Sequence, residues 1–334
     1  VTRLLRAEMP GWELSEEVLA ASVVDHPWND PETPSLVAVG DDGSVVGVIG
    51  AQARRMRFDD REIRGVCCTQ LTVAAEHRAG ATGALLLRRM VSGPQEVTWS
   101  DSSTDVVLRL WEAFGGHLDH VRAADFMLVL RPLRWVSKVV RTKLGGGEIG
   151  RRLVPVQALP AAERFTSREA VTASPGVEGS EATPAEVAAA LPDLSRHLTV
   201  RVDWDRAELD HVLRQVGAIE GDVSCRMVRR EGRDIGWYAY LRRPGEVSRV
   251  LHLAAAKRAA DDVLADLIAD ATASGSSVLA GRAEPHLESA LRRRHATLEL
   301  VRQPTIRATD PALAAALATG GSLLTRLEGE VFAA

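Results

Sequence analysis

The segment Cys67–Met90 contains the residues whose types and spacing most clearly indicate chemistry. An apolar strand over Cys67–Val73 runs into a turn of small residues, and good helix formers follow at Ala84–Met90. Such a turn exposes backbone N–H groups at a helix N-terminus, where they and the helix dipole can hold a pyrophosphate. Small side chains are needed there because phosphates must approach the main chain closely. The residues predicted to hold the anion are Arg78, Ala79, Gly80, Ala81, Thr82 and Gly83.

The spacing within this turn resembles the hallmark of the GNAT superfamily of acyl-CoA-dependent N-acyltransferases. The family motif is Arg/Gln-x-x-Gly-x-Gly/Ala after a strand, and its positions are here Arg78, Ala81 and Gly83, with Ala81 replacing the central glycine. A hairpin before the turn, a strand at Glu96–Trp99 and the stretch Leu110–Gly116 lie where the family places them. The resemblance implies that the turn binds the pyrophosphate of acetyl-CoA or another acyl-CoA, a co-substrate used without a metal.

The resemblance also implies where the pantetheine arm of the donor lies. In the family it enters between two parallel strands that splay apart, which are here Leu71–Val73 and Glu96–Ser100. The exposed main chain of Leu71 and Val73 would bond the arm, and the acyl carbonyl would then face an acceptor amine. The activity implied is that of a transferase, an acyltransferase that acts on an amine of a small molecule.

Two residues that many members of the family use as acid and base are replaced in this chain. Trp111 stands where a tyrosine protonates the leaving thiolate, and Thr69 stands where a glutamate acts as base. Direct transfer can still proceed, because a thiolate is a tolerable leaving group and water can relay protons. Asp101, at the end of the second parallel strand, is the candidate catalytic base. The alternative is that Asp101 or Ser102 only caps the helix predicted at Thr104–Phe114.

A weak internal repeat lies about 180 residues further along the chain. Gln70–Leu87 resembles Val250–Leu267, and each copy follows a hairpin with an Asp-Gly or Glu-Gly turn. The predicted fold class is therefore α/β, with two GNAT-like domains in tandem, each a mixed, mainly antiparallel sheet with flanking helices. We expect an N-terminal domain at 1–132, a basic helix and linker at 133–185 and a degenerate C-terminal domain at 186–334.

The second copy of the turn differs in charge from the first. It reads Arg258-Ala259-Ala260-Asp261-Asp262-Val263, so two carboxylates would face a pyrophosphate and a β-branched residue replaces the last glycine. Like charges repel at such a site. The C-terminal domain is therefore predicted to bind no acyl-CoA and to brace the first domain while shaping the acceptor site.

Several local elements follow from caps and apolar runs. Ser15 is a predicted N-cap, and Thr183 and Asp205 each begin a capping-box pattern. Gly217 is expected to end the helix that follows Asp205. A final pair of strands is expected in each copy, at His117–Leu130 and at Thr297–Arg307.

Composition restricts the compartment and the partners. The chain has 334 residues, a net charge of −4 and three cysteines, and it contains no apolar run of membrane-spanning length. Neither a disulfide framework nor a zinc site is expected from so few cysteines, and no membrane partner is predicted. The N-terminus lacks the apolar core of a secretion signal, so a cytoplasmic location is expected. The oligomeric state is left open.

Two other functions remain compatible with the sequence. The stretch Arg131–Arg152 carries seven basic residues and one acidic one. An amphipathic helix at the domain junction explains it, and a site for phosphate or RNA is the alternative. An aminoacyl-tRNA-dependent transferase on the same fold would use such a surface and needs no acid for a thiolate. A catalytically silent protein that binds CoA or another ligand is the third reading.

Overall fold

The computed structural model describes residues 1–9, 15–132, 135, 174–300 and 302–330. These residues form two compact units, each assembled from separate stretches of the chain. Unit 1 comprises Val1–Ala124, Pro184–Glu220 and Leu300–Ala334, and unit 2 comprises Asp125–Thr183 and Gly221–Glu299. Both are mixed α/β structures, as the sequence predicts.

Helices and strands are numbered along the described part of the chain. The helices are α1 (Thr2–Glu8), α2 (Glu16–Val23), α3 (Thr82–Val91), α4 (Asp105–Ala113), α5 (Pro184–Ser195), α6 (Arg206–Glu220), α7 (Ala260–Ala273), α8 (Glu288–Arg293) and α9 (Pro311–Ala318). The strands are β1 (Leu36–Val39), β2 (Val45–Phe58), β3 (Arg61–Val73), β4 (Val97–Ser100), β5 (His117–Leu118), β6 (Ala124–Val129), β7 (Val177–Glu181), β8 (Val200–Val202), β9 (Val223–Arg230), β10 (Arg233–Leu241), β11 (Val247–Ala255), β12 (Val278–Arg282), β13 (Thr297–Leu300), β14 (Thr305–Ala308) and β15 (Ser322–Leu323).

The sheet of unit 1 has the strand order β15-β8-β2-β3-β4-β14-β5, and β1 also pairs with β2. The β1–β2 hairpin turns at Gly43, which has a φ of 80°. Glycine adopts this conformation readily because it has no side chain. β2 and β3 are long antiparallel partners, whereas β3 and β4 run parallel. Helices α3 and α4 cover one face, where Val66, Cys68, Leu87 and Trp111 form part of an apolar core.

The sheet of unit 2 has the strand order β13-β6-β12-β11-β10-β9-β7. The β9–β10 hairpin turns at Glu231 and Gly232, both with positive φ, which is the backbone that a right-twisted hairpin favours. β11 and β12 are parallel, and helix α7 packs on the sheet beside them. The element order around Val250–Leu267 therefore follows that around Gln70–Leu87.

Both predicted final strand pairs are wrong as pairs, because their members lie in different sheets. β5 pairs with β14 through Thr305 and Leu118, whereas β6 pairs with β12. β13 joins the sheet that holds β6, and β14 lies between β4 and β5. Each sheet thus contains a strand from the other copy of the repeat. The sequence-based division at 132 and 186 follows chain order, whereas the compact units follow this strand exchange.

Two further stretches differ from expectation. Residues 177–181, expected within a linker, form the edge strand β7 on β9, even though Gly179 and its polar neighbours are poor strand formers. Helix α6 continues through Gly217 to Glu220. The predicted basic helix lies largely outside the described residues. Among the helices that are described, none combines the length and apolarity needed to cross a membrane.

Candidate active site

Strands β3 and β4 separate part-way along the sheet. Their parallel pairing ends at Cys67 and Trp99, whereas β3 continues to Val73. Gln70 has a φ of 50°, and the register against β2 shifts at this point, so β3 carries a bulge. In the described residues, no strand pairs with the β4-facing edge of β3 beyond Cys67. Leu71 lies on this unpaired edge, as does Val73.

The turn after β3 leads into the first turn of α3 and is open to solvent. Arg78, Ala79, Gly80 and Ala81 are exposed, and no side chain caps the helix. The first N–H groups of an α-helix, those from Thr82 onward, have no acceptor within the helix. The structure thus brings the six predicted anion-binding residues together at an exposed, uncapped helix N-terminus. Their role as an acyl-CoA site stays a prediction.

Arg78 does not extend free into solvent. Its Nε donates a 3.0 Å hydrogen bond to the Val73 carbonyl, and its guanidinium forms an ion pair with Glu8 at the end of α1. The Glu8 carboxylate also accepts the Ala75 N–H at 3.1 Å. Glu8 therefore fixes the start of the turn and offsets part of the positive charge that Arg78 brings to it.

Asp101 lies directly after β4 and is 3% exposed. The alternative that Asp101 or Ser102 caps α4 is contradicted, because Thr104 is the N-cap and its side chain accepts the Val107 N–H. Asp101 instead accepts the backbone N–H of Glu330 at 2.8 Å. Glu330 in turn accepts hydrogen bonds from Ser100 (2.7 Å) and Ser102 (3.3 Å). Burial, followed by the nearby Asp101 charge, raises the pKa of Glu330 to about 8.

The residues at the family's acid and base positions are buried. Trp111 is 1% exposed and lies in the core under α3. The Thr69 hydroxyl donates a 2.9 Å hydrogen bond to the side-chain oxygen of Gln70. Cys67 and Cys68 are buried as well, and burial raises the pKa of both thiols. A neutral buried thiol is a poor nucleophile, so neither cysteine is suited to accept an acyl group.

A buried ionic network, not expected from the sequence, lies on the other face of the same sheet. Arg54 of β2 contacts Glu208 of α6 at 3.2 Å, Gln52 at 3.2 Å and the Glu328 carbonyl at 3.2 Å. The Glu328 carboxylate accepts from Trp204 Nε1 at 3.0 Å. Arg54 lies in the second half of β2, where Arg55 and Arg57 follow it, so the local sequence does not distinguish this buried arginine from its more exposed neighbours.

A cavity of about 550 Å³ opens beside this network within unit 1. It is lined by Trp28, Arg55, Gly65 and Asp205, among others. Gly65 lies two residues before Cys67 and hence on the same face of β3. Two of the charges in its lining, Arg55 and Asp205, form an ion pair with each other.

The described residues contain no cluster of side chains that could hold a metal ion. The sequence matches no family model and no curated protein. Solved structures do match. A probable N-acyltransferase from Enterococcus faecalis V583 aligns with a TM-score of 0.61 and 11% identity, over 92% of this chain and 68% of its own.

Two GCN5-related N-acetyltransferases also align. The protein from Anabaena variabilis ATCC 29413 gives a TM-score of 0.57 at 9% identity, over 92% of this chain and 69% of its own. The protein from Kribbella flavida gives 0.52 at 15% identity, over 83% of this chain and 60% of its own. The chain has a GNAT fold. Matches of this extent include residues of both units, consistent with two GNAT-type domains in tandem. The chain spans about two thirds or less of the length of these relatives.

The second GNAT-type unit has its own helix, α7, at the place that corresponds to α3. Asp261, in its first turn, forms ion pairs with Arg293 and Arg294. Asp262 is paired with Arg230 and also accepts from Ser174. The N-terminus of α7 is therefore occupied by carboxylates, and their partners lie at the C-terminal end of α8, on β9 and in the segment just before β7.

Proposed function

We propose that this chain is an N-acyltransferase that moves an acetyl or other acyl group from acyl-CoA to an amine of a small molecule, with unit 1 as the active unit. The observation that carries the proposal is the unpaired edge of β3, which leads directly to the exposed, uncapped N-terminus of α3. Together they offer main-chain hydrogen bonds along an extended arm and a dipole end for its phosphates. The N-acetyltransferase names of the structural relatives support the same reaction class.

Each predicted site residue has a place in this reaction. The residues from Arg78 to Gly83 would hold the pyrophosphate, and the backbones of Leu71 and Val73 would align the pantetheine arm. Acyl-CoA supplies an activated thioester when bound. Its carbonyl would lie where β3 and β4 separate, and Asp101 stands at that point at the end of β4. The acceptor amine would enter from the 550 Å³ cavity beside Gly65.

The second unit is proposed to bind no acyl-CoA. A pyrophosphate at α7 would meet Asp261 and Asp262, and displacing them would leave Arg230, Arg293 and Arg294 without their partners. The C-terminal part of the chain contributes in another way. It provides α6, β8, β14 and the segment Leu324–Glu330 to unit 1, consistent with a role in shaping the acceptor site.

Titration calorimetry with acetyl-CoA tests the donor site. Ala81→Asp places a carboxylate at the turn, where we expect donor affinity to fall at least about tenfold, since like charge opposes the phosphates. Val106→Asp is the matched control, because it adds the same charge to the first turn of α4 at a residue that is 60% exposed. We expect one acetyl-CoA per chain, and unchanged affinity in Ala81→Asp would contradict the site.

A thiol-release assay with a panel of amines then tests the reaction. Release that depends on both acetyl-CoA and an amine is the expected result. Saturable binding without release would favour a silent ligand-binding protein. Absence of binding, combined with salt-sensitive transfer from aminoacyl-tRNA that ribonuclease abolishes, would favour the tRNA-dependent alternative.

A further inference from the structure

The segment Leu324–Glu330 brings a second carboxylate to the end of β4. The chain passes so close to Asp101 that a Cβ on Gly329 would overlap the Asp101 carboxylate, so only glycine fits there. The next residue, Glu330, donates its backbone N–H to Asp101 and accepts from Ser100, the last residue of β4. This contact places the Glu330 side chain where β4 ends, just beyond the last parallel pair, Cys67 and Trp99.

We propose that Asp101 and Glu330 act as one acid–base unit that holds a single proton at neutral pH, and that Glu330 takes the proton released by the acceptor amine. This inference rests on the proposed function. It assigns the chemistry that the family's tyrosine and glutamate would perform to two residues that are 229 positions apart in the chain.

The surroundings decide which carboxyl keeps the proton. Asp101 accepts the backbone N–H of Glu330 at one carboxylate oxygen. Glu330 faces that charge, and the other titratable groups around it are the neutral thiols of Cys67 and Cys68 on β3 and the guanidinium of Arg302. Two adjacent carboxyls in such a site cannot both ionise readily, so the proton resides on Glu330. The shift of its pKa to about 8 has this cause together with burial.

Access distinguishes the two members of the pair. Asp101 is 3% exposed, whereas Glu330 is only partly buried. We therefore assign the contact with the acceptor to Glu330, and Asp101 is its positioning residue.

The proton transfers balance over one cycle. The amine nitrogen forms a C–N bond with the acyl carbon while the C–S bond breaks, and the electron pair of that bond leaves on the CoA sulfur. The protonated Glu330 carboxyl gives its proton to that sulfur, and the carboxylate so formed takes the N–H proton of the reacting amine. The products are an amide and free CoA thiol, and the pair again holds one proton.

Three variants of the full chain test the pair. Glu330→Gln keeps the shape and the hydrogen bond from Ser100, Asp101→Asn removes the neighbouring charge, and Asp105→Asn is the matched control in the first turn of α4. The measurements are acetyl-CoA affinity by calorimetry and turnover with arylamine acceptors. Such amines are chosen because their own pKa values lie far below that of Glu330, so the pH profile reports on the protein.

We expect Glu330→Gln to bind acetyl-CoA within about twofold of the parent and to lose about a hundredfold in kcat, the usual size of an acid–base contribution. The parent should lose the infrared band of a protonated carboxyl as pH rises through about 8, and Glu330→Gln should lack that change. Asp101→Asn should shift the midpoint to lower pH, because the repelling charge is gone. Asp105→Asn should behave like the parent.

The outcomes separate this inference from the proposed function. Equal turnover in the parent and in Glu330→Gln would overturn the acid–base pair and leave the acyltransferase intact. A carboxyl band that titrates with the ordinary midpoint of a glutamate would also overturn it. Failure of the parent to bind acetyl-CoA would overturn the proposed function, and the Glu330 proton transfer with it. The infrared titration would then still decide whether the pair shares a proton.

Discussion

Arg54 and Glu208, which are 154 residues apart in the chain, form an ion pair of 3.2 Å in which the two side chains are 2% and 0% exposed. The pair joins the longest strand of unit 1, β2, to helix α6. His26 also contacts the same Glu208 oxygen, at 2.7 Å. A carboxylate buried this deeply is tolerated only because cationic and N–H donors surround it.

Replacing Arg54 by leucine should therefore strongly destabilise the folded protein. The change leaves Glu208 buried without its cation, and we expect a loss of about 3–5 kcal/mol in the free energy of unfolding. The neighbouring Arg55→Ala is the control, because its ion pair with Asp205 is about half exposed and should cost about 1 kcal/mol or less. Urea denaturation measures both. Equal losses of stability in the two variants would show that the buried ion pair contributes no more to stability than the exposed one.

His26 makes the same cluster sensitive to acid. Its Nδ1 accepts the Trp28 N–H at 3.2 Å, so Nε2 carries the hydrogen that is donated to Glu208. Burial lowers the pKa of His26 below its usual 6.5, although the Glu208 bond opposes this. The unfolded chain then binds the proton more readily, so the stability that His26 contributes is present above pH 6.5 and is lost as pH falls through its folded pKa.

We expect the pH dependence of unfolding between about pH 5 and 7 to flatten in His26→Gln, which keeps a donor toward Glu208 but cannot take up a proton. The exposed His117→Gln variant should retain the slope of the parent. Denaturant titrations at several pH values measure the slopes, and parallel slopes in all three proteins would contradict this assignment.

Glu8 should weaken donor binding through its charge. Its carboxylate pairs with Arg78 beside the proposed phosphate turn and accepts the Ala75 N–H. Glu8→Gln keeps an oxygen for that N–H and removes the negative charge. We expect acetyl-CoA to bind about two- to fivefold more tightly, which is the size of a screened surface interaction of 0.5–1 kcal/mol. Glu76→Gln, exposed in the same turn, is the control. Weaker binding in Glu8→Gln would mean that Glu8 matters mainly for holding the turn.

Local patterns predicted the elements around the turn well. The Asp-Gly and Glu-Gly hairpins form as expected, Ser15 caps α2, and the small-residue turn lies exposed at the start of α3. These features depend on residues close together in the chain, whose backbone preferences the sequence states directly. Strand partners depend on packing between residues far apart in the chain. The local sequence therefore does not indicate that β6 and β14 each join the sheet of the other copy.

The buried charges escaped prediction for a related reason. The spacing of Asp205 and Glu208 predicts a capping box. The Glu208 N–H does bond Asp205 at 2.8 Å, yet its side chain points to Arg54 and His26. Glu330 lies in a short polar segment that resembles solvated chain, and only the fold brings it to Asp101. Residues that work in pairs across more than a hundred positions cannot be paired from one sequence.

The strand exchange predicts that the two halves of the chain do not fold alone. A fragment of residues 1–132 keeps β6 without β12 and lacks β14 between β4 and β5, whereas a fragment of residues 174–334 lacks β6 between β12 and β13. Both sheets would then carry unpaired inner edges, which favour aggregation over a stable fold. We expect each fragment by itself to show no cooperative unfolding by circular dichroism. Co-expressed fragments should associate and recover a cooperative transition, since every missing strand is then supplied. A sharp transition in either fragment alone would show that its sheet is stable without the exchanged strand.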